Sequence, residues 1–117
     1  MRPLVLVLLL ISAAACRKSD TPVDTYTTRG KVAAIDPAGK LDIHHERIAD
    51  YKTRDGAAKG MDSMVMTFTP VAGTKVDPGI AAGDPVSFTF EVHWDEAPYL
   101  RLTAIEELPA DTALELK

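Results

Sequence analysis

Val86-Ser87-Phe88-Thr89-Phe90-Glu91-Val92-His93 is the stretch whose reading decides the fold. Four apolar side chains alternate strictly with four polar ones, a period of two that fits a half-buried strand and not a helix. Val86, Phe88, Phe90 and Val92 are therefore expected to face a core, and Ser87, Thr89, Glu91 and His93 to face water.

On the C-terminal side, Asp95 to Pro98 turns the chain, Tyr99 to Leu108 supplies a further strand, and Pro109 to Lys117 reads as a frayed tail. On the N-terminal side, Pro70 to Asp84 holds three glycines and two prolines and reads as a crossover with one helical turn around Pro78 to Ala82. Before it, Met64, Met66 and Phe68 alternate with Val65, Thr67 and Thr69, the pattern of another strand. Glu46 to Ser63 is polar, contains Asp55-Gly56 and Gly60, and is long enough for a connection to suggest function. Leu41, Ile43 and His45 lie on one side of the strand that precedes it, with Asp42, His44 and Glu46 on the other. Asp36-Pro37-Ala38-Gly39 has Pro second and Gly fourth, which suits a tight reversal into that strand from Thr27 to Ile35. Gly30 inside the first strand suggests a bulge or bend. Five short strands, two hairpin turns and one longer crossover make an all-β domain: a small five-stranded β-barrel of the OB type, or a simple five-stranded sandwich.

Residues 1–15 read as an export signal, with Arg2, an apolar run from Leu4 to Ile11, and Ser12-Ala13-Ala14-Ala15 leading into Cys16. The run is too short to span a bilayer. Small residues before a cysteine resemble a bacterial lipobox, although Ala13 stands where leucine is usual, so Cys16 is expected to become a lipidated N-terminus. Residues 16–26 then form a tether to a domain over 27–108, and residues 109–117 a flexible tail. Buried CH₂ groups contribute about 0.8 kcal/mol each, so two or more acyl chains hold such a domain at a membrane. The chain carries 13 Lys plus Arg against 17 Asp plus Glu, a net charge of −4; loss of Arg2 with the signal makes it −5. An acidic exported chain is a poor candidate for nucleic acid, whose binding depends on phosphate neutralisation. The one cysteine, committed to lipid, leaves no disulfide, and about one hundred residues must hold together by their core.

Three of the four methionines, Met61, Met64 and Met66, fall in Gly60 to Phe68. Thioethers are soft, polarizable and uncharged, which makes them either adaptable core filler or ligands for a soft ion. If the second and third strands are neighbours, His45, Met64 and Met66 converge on one mouth of the barrel. An imidazole and two thioethers suit Cu(I) or Ag(I), whereas Mg²⁺ and Ca²⁺ require oxygen and Zn²⁺ prefers Cys, further His or carboxylate. Both readings of the methionines stand at this level. His44 and His93 fall on the solvent faces. No Ser, Cys, His and Asp arrangement points to catalysis, so no enzyme is expected.

Gly30-Lys31-Val32 with Ile35-Asp36, Ile43-His44-His45-Glu46, Met64-Val65-Met66-Thr67-Phe68, Gly83-Asp84-Pro85-Val86-Ser87-Phe88 and Ile105 resemble the CusF family of periplasmic copper- and silver-binding proteins. The similarity runs from about Thr27 to Leu108. It implies a small five-stranded OB barrel whose metal ligands are the histidine closing the second strand and a Met-x-Met pair opening the third, here His45, Met64 and Met66. In the best known branch a tryptophan three residues before that pair caps the metal; Met61 stands there, which implies a third thioether ligand or an apolar lid. The connection 46–63 is also longer than in that branch. Trp94, the single tryptophan, is expected to stand apart from the site, in the turn after the fourth strand. The resemblance implies a lipid-anchored periplasmic protein that binds Cu(I) or Ag(I) as cargo and passes it to an efflux system or to copper-enzyme assembly. The alternative from the residues alone is a lipoprotein barrel that binds a partner or a non-metal ligand, its methionines being packing.

Overall fold

The computed structural model describes residues 23–117. The export signal, Cys16 and the first part of the tether lie outside the described residues.

Five strands, β1 (Val23–Ile35), β2 (Leu41–His45), β3 (Met64–Val76), β4 (Pro85–His93) and β5 (Leu100–Glu107), close into a barrel in the order β1-β2-β3-β5-β4. All neighbours are antiparallel except β3 and β5, which run parallel. The closed ring is the OB-type barrel and not the sandwich. It leaves no free sheet edge within the ring, the feature that protects a small all-β domain from edge-to-edge pairing.

The alternation of β4 is kept to the residue: Val86, Phe88, Phe90 and Val92 are buried, with less exposed to solvent at each than at any polar residue between them. All three phenylalanines of the chain meet in the centre. Phe68 lies 5.0 Å from Phe88 and 4.9 Å from Phe90 between ring centroids, within the range where aromatic pairs add to simple area burial. Val32, Leu41, Ile43, Leu102 and Ile105 complete the barrel core.

The reversal at Asp36–Gly39 is present. Gly39 N–H donates to Asp36 C=O at 2.9 Å, and the Asp36 carboxylate accepts the Lys40 N–H at 2.8 Å. Gly30 marks no bulge; the β1–β2 register shifts between Val32 and Ala34 instead. Gly30 sits where β1 is flanked by both neighbours, opposite His45 on β2 and Val86 on β4. A Cβ there would stand 2.6 Å from the His44 carbonyl oxygen and 2.9 Å from His45 Cα, so glycine is required by close backbone approach.

Three boundaries differ from expectation. β1 begins at Val23, because 23–29 continue along β4 after β2 has ended; residues 23–26 are therefore strand and not tether. β3 runs on to Val76 through Gly73, whose φ of 88° and the register shift between Pro70 and Lys75 let it bend and still pair with β5. The crossover from β3 to β4 contains turns at Pro78–Gly79 and Ala82–Gly83 and no helical turn. Asp84 shapes it by accepting the Ala81 N–H on its carboxylate at 2.9 Å.

Candidate metal centre

β2 and β3 are neighbours, and their ladder pairs Leu41 with Phe68, Ile43 with Met66 and His45 with Met64. Directly paired residues share a face of an antiparallel sheet. His45, Met64 and Met66 thus lie on the core-facing side of adjacent strands, with His45 and Met64 forming the last pair before the chain leaves the ladder.

His45 is fully buried, and among the described residues it is the one buried polar or charged side chain in a core otherwise made of aliphatic and aromatic residues. Its Nδ1 lies 2.7 Å from the Glu46 carbonyl oxygen. A carbonyl only accepts, so Nδ1 carries the proton and the neutral ring keeps its free lone pair on Nε2. That Nε2 is buried and has no hydrogen-bond partner. Burial favours the uncharged imidazole and lowers the His45 pKa below the usual histidine value; the bond to Glu46 opposes this, and nearby His44 adds to it.

Met64 is 42 % exposed, at the rim. Met66 is half-buried and packs on the core, as does Met61. Met61 exchanges both backbone hydrogen bonds with Ile48 across the base of the 46–63 connection, each at 2.9 Å. The connection is consequently a small antiparallel arm and not an open loop. Lys52 and Ala58 form a second bridge, and Thr53 and Ala57 close its tip around Gly56. The arm folds over the barrel and sends Ile48 and Tyr51 into the core. Tyr51 stacks on Tyr26 at 5.1 Å, and the Tyr26 hydroxyl accepts the Lys52 N–H at 2.8 Å. The sequence reading missed this pair because Ile48 and Tyr51 are isolated apolar residues in a polar stretch, with no periodicity to announce them.

Trp94 does lie in the turn after β4, but it does not stand apart. It packs edge-on against Tyr51 at 6.4 Å. With Met66, Tyr51, Val92, Tyr99, Leu100 and Arg54 it lines a cavity of about 380 Å³. Arg54 fixes the turn through a bond to the Trp94 carbonyl at 2.9 Å and an ion pair with Asp95. Sequence spacing gave no sign of this, since Met66 and Trp94 are brought together by the barrel's closure. His93 pairs with Glu91 at 2.8 Å on the outer side of β4. His44 is half-buried on the outer side of β2, less exposed than its strand position suggests, and its Nε2 also lacks a partner.

Among the described residues no group of three or more His, Cys, Asp and Glu side chains could hold a metal ion. His45 Nε2, buried and without a partner, shares its face of the sheet with two thioethers, those of Met64 and Met66.

Solved structures similar to the chain include apo-CusF from Escherichia coli, at 26% identity and a TM-score of 0.56, covering 81% of this chain and 100% of that one. A Cu(II)-bound tryptophan-to-alanine variant of CusF from the same organism matches at 26% identity and a TM-score of 0.54, covering 80% and 100%. The C-terminal domain of SilB from Cupriavidus metallidurans, at 21% identity and a TM-score of 0.53 over 79% and 98%, shares the fold. No curated protein matches the chain. The sequence matches the family described as copper binding periplasmic protein CusF over residues 25–107, which takes in all but the first two residues of the barrel, and the chain belongs to that family.

Proposed function

We propose that this protein binds Cu(I) or Ag(I) in the periplasm as cargo, through His45 Nε2 and the thioethers of Met64 and Met66. The observation that carries the reading is the orphaned Nε2 of His45. A buried acceptor without a partner costs roughly 1–3 kcal/mol, and a soft ion held jointly with two thioethers would turn that cost into a bond. Membership of the CusF family and likeness to CusF structures support the same ion class. Met61, at the root of the arm, is a third thioether or a lid over the ion.

Cys16 carries a lipid anchor on this reading, which keeps the carrier at a membrane surface. The protein catalyses no reaction. It passes the ion to an efflux system or to a copper enzyme under assembly, with half-exposed Met64 as the ligand a recipient's thioether or thiolate displaces first.

The test is titration of the reduced protein with Cu(I) against a competing chelator. Loss of one orienting partner alone costs metal sites about 10- to 100-fold in affinity, so a Met64→Leu, Met66→Leu double variant should lose at least that much. Equal affinity of the variant and the parent would overturn the metal reading and leave the methionines as packing.

A further inference from the structure

The chain beyond β5 returns to the end of the barrel that carries the candidate ligands. Leu108 N–H donates to Pro85 C=O at 2.8 Å, and Thr112 closes a turn on Pro109 at 2.9 Å. Residues 112–117 then run with alternating exposure, Leu114 and Leu116 half-buried and Glu115 and Lys117 exposed. Two backbone donors tie this segment down. Glu115 N–H reaches a Glu46 carboxylate oxygen at 2.8 Å, and Lys117 N–H reaches Ser63 Oγ at 3.0 Å.

The two acceptors sit where they count. Glu46 follows His45 and Ser63 precedes Met64, so the segment joins the two strand ends at the last pair of the β2–β3 ladder. Glu46 is the junction. Its carbonyl takes the His45 Nδ1 proton at 2.7 Å, its N–H goes to Arg29 C=O at 2.9 Å, and its carboxylate binds Arg29 through Nε at 3.0 Å and Nη2 at 2.7 Å as well as Glu115. Burial pushes the Glu46 carboxyl up, but the Arg29 and Glu115 bonds outweigh it and hold the group below its usual range, ionised and able to accept all three.

We propose that the C-terminal segment Glu115–Lys117 is a positioning strap: by tying Glu46 to Ser63 it holds the Glu46 carbonyl on His45 Nδ1 and so fixes His45 Nε2 opposite Met64. The proposal rests on the metal reading only for its consequence, since the strap itself is a matter of geometry. Outer partners that orient an imidazole set both its tautomer and its direction. The strap is held by a few polar bonds across a hollow of about 420 Å³ lined by Arg29, Glu46, Arg47, Ser63 and the segment itself, an attachment that can be removed without emptying the barrel core.

The test compares the whole chain with a chain ending at Ala113 and with Ser63→Ala. Ag(I) affinity should fall about 10- to 100-fold on truncation, and in the same direction but less in Ser63→Ala, while thermal unfolding stays cooperative. In the metal-free protein the His45 Nδ1–H resonance should exchange with solvent faster in both variants. Unchanged affinity together with unchanged exchange in the truncated chain overturns the strap. Should truncation unfold the barrel, Ser63→Ala decides by the same two readouts. If the whole chain binds no Ag(I), the metal reading falls, and the exchange rate of the Nδ1 proton alone decides the strap.

Discussion

At the scale of the residue, His45 is the position where chemistry and stability pull against each other. Its backbone pair with Met64 and its bond to the Glu46 carbonyl place it in the core, and burial lowers its pKa. In the unfolded chain the same ring takes up a proton near pH 6.5. Between the lowered folded value and about 6.5 the unfolded state therefore binds more protons, so stability is full above that window and is lost as pH falls through it. Urea unfolding of the metal-free protein should give a smaller free energy at pH 5 than at pH 7.5. Most of that difference should vanish in His45→Leu, and a His45→Leu variant with the same pH dependence as the parent would show that His45 is not its source. Binding of Cu(I) should weaken over the same descent, because protonation of Nε2 removes the lone pair the ion needs.

At the scale of the element, the 46–63 arm couples the candidate site to the aromatic residues. Ile48 and Met61 bridge its base, Tyr51 stacks on Tyr26, and Trp94 leans on Tyr51 while sharing a cavity wall with Met66. An ion bound at Met66 would lie within the surroundings of the single indole. Cu(I) or Ag(I) should accordingly change Trp94 emission in proportion to occupancy, and the change should be lost in Met66→Leu. Emission that stays constant through saturation, measured beside an independent binding curve, would place the ion away from this wall. The connection's length is accounted for by the same contacts: its extra residues are an arm that plugs the barrel, and the polar composition describes only the outer side.

At the scale of the whole molecule, a barrel of about one hundred residues without a described disulfide depends on one aromatic cluster. Phe90 touches Phe68 at 4.9 Å, Phe88 at 5.8 Å and Tyr26 at 5.6 Å, and so joins the barrel core to the aromatic pair beneath the arm. Phe90→Ala should cost about 3–5 kcal/mol, a large part of the roughly 5–15 kcal/mol available to a domain of this size. Tyr99→Ala, at a side chain 55 % exposed, should stay within about 0.5 kcal/mol. Chemical denaturation of the two variants measures the difference, and equal costs would contradict the central place of Phe90.

The sequence by itself determined that five strands form and which face of the second, third and fourth turns inward. Period-two alternation in β4 and at the start of β3 is a local property, fixed by which side chains leave water, and so Phe68, Phe88, Phe90 and His45 could be assigned inward from order alone. The Asp36–Gly39 reversal was legible for the same reason, since its turn chemistry is contained in four residues. The resemblance to a known family supplied the closed barrel, which the five strands had left open against a sandwich. What only the tertiary structure decided are the long-range meetings: Tyr51 with Tyr26, Trp94 with Met66, and the C-terminal segment with Glu46 and Ser63. These contacts join residues far apart in the chain through single side chains or backbone donors, and they leave no period to read. Gly30 shows the limit within one residue. The sequence marked it as special through its missing side chain, and the backbone of β2 passing 2.6 Å from where a Cβ would stand supplied the reason.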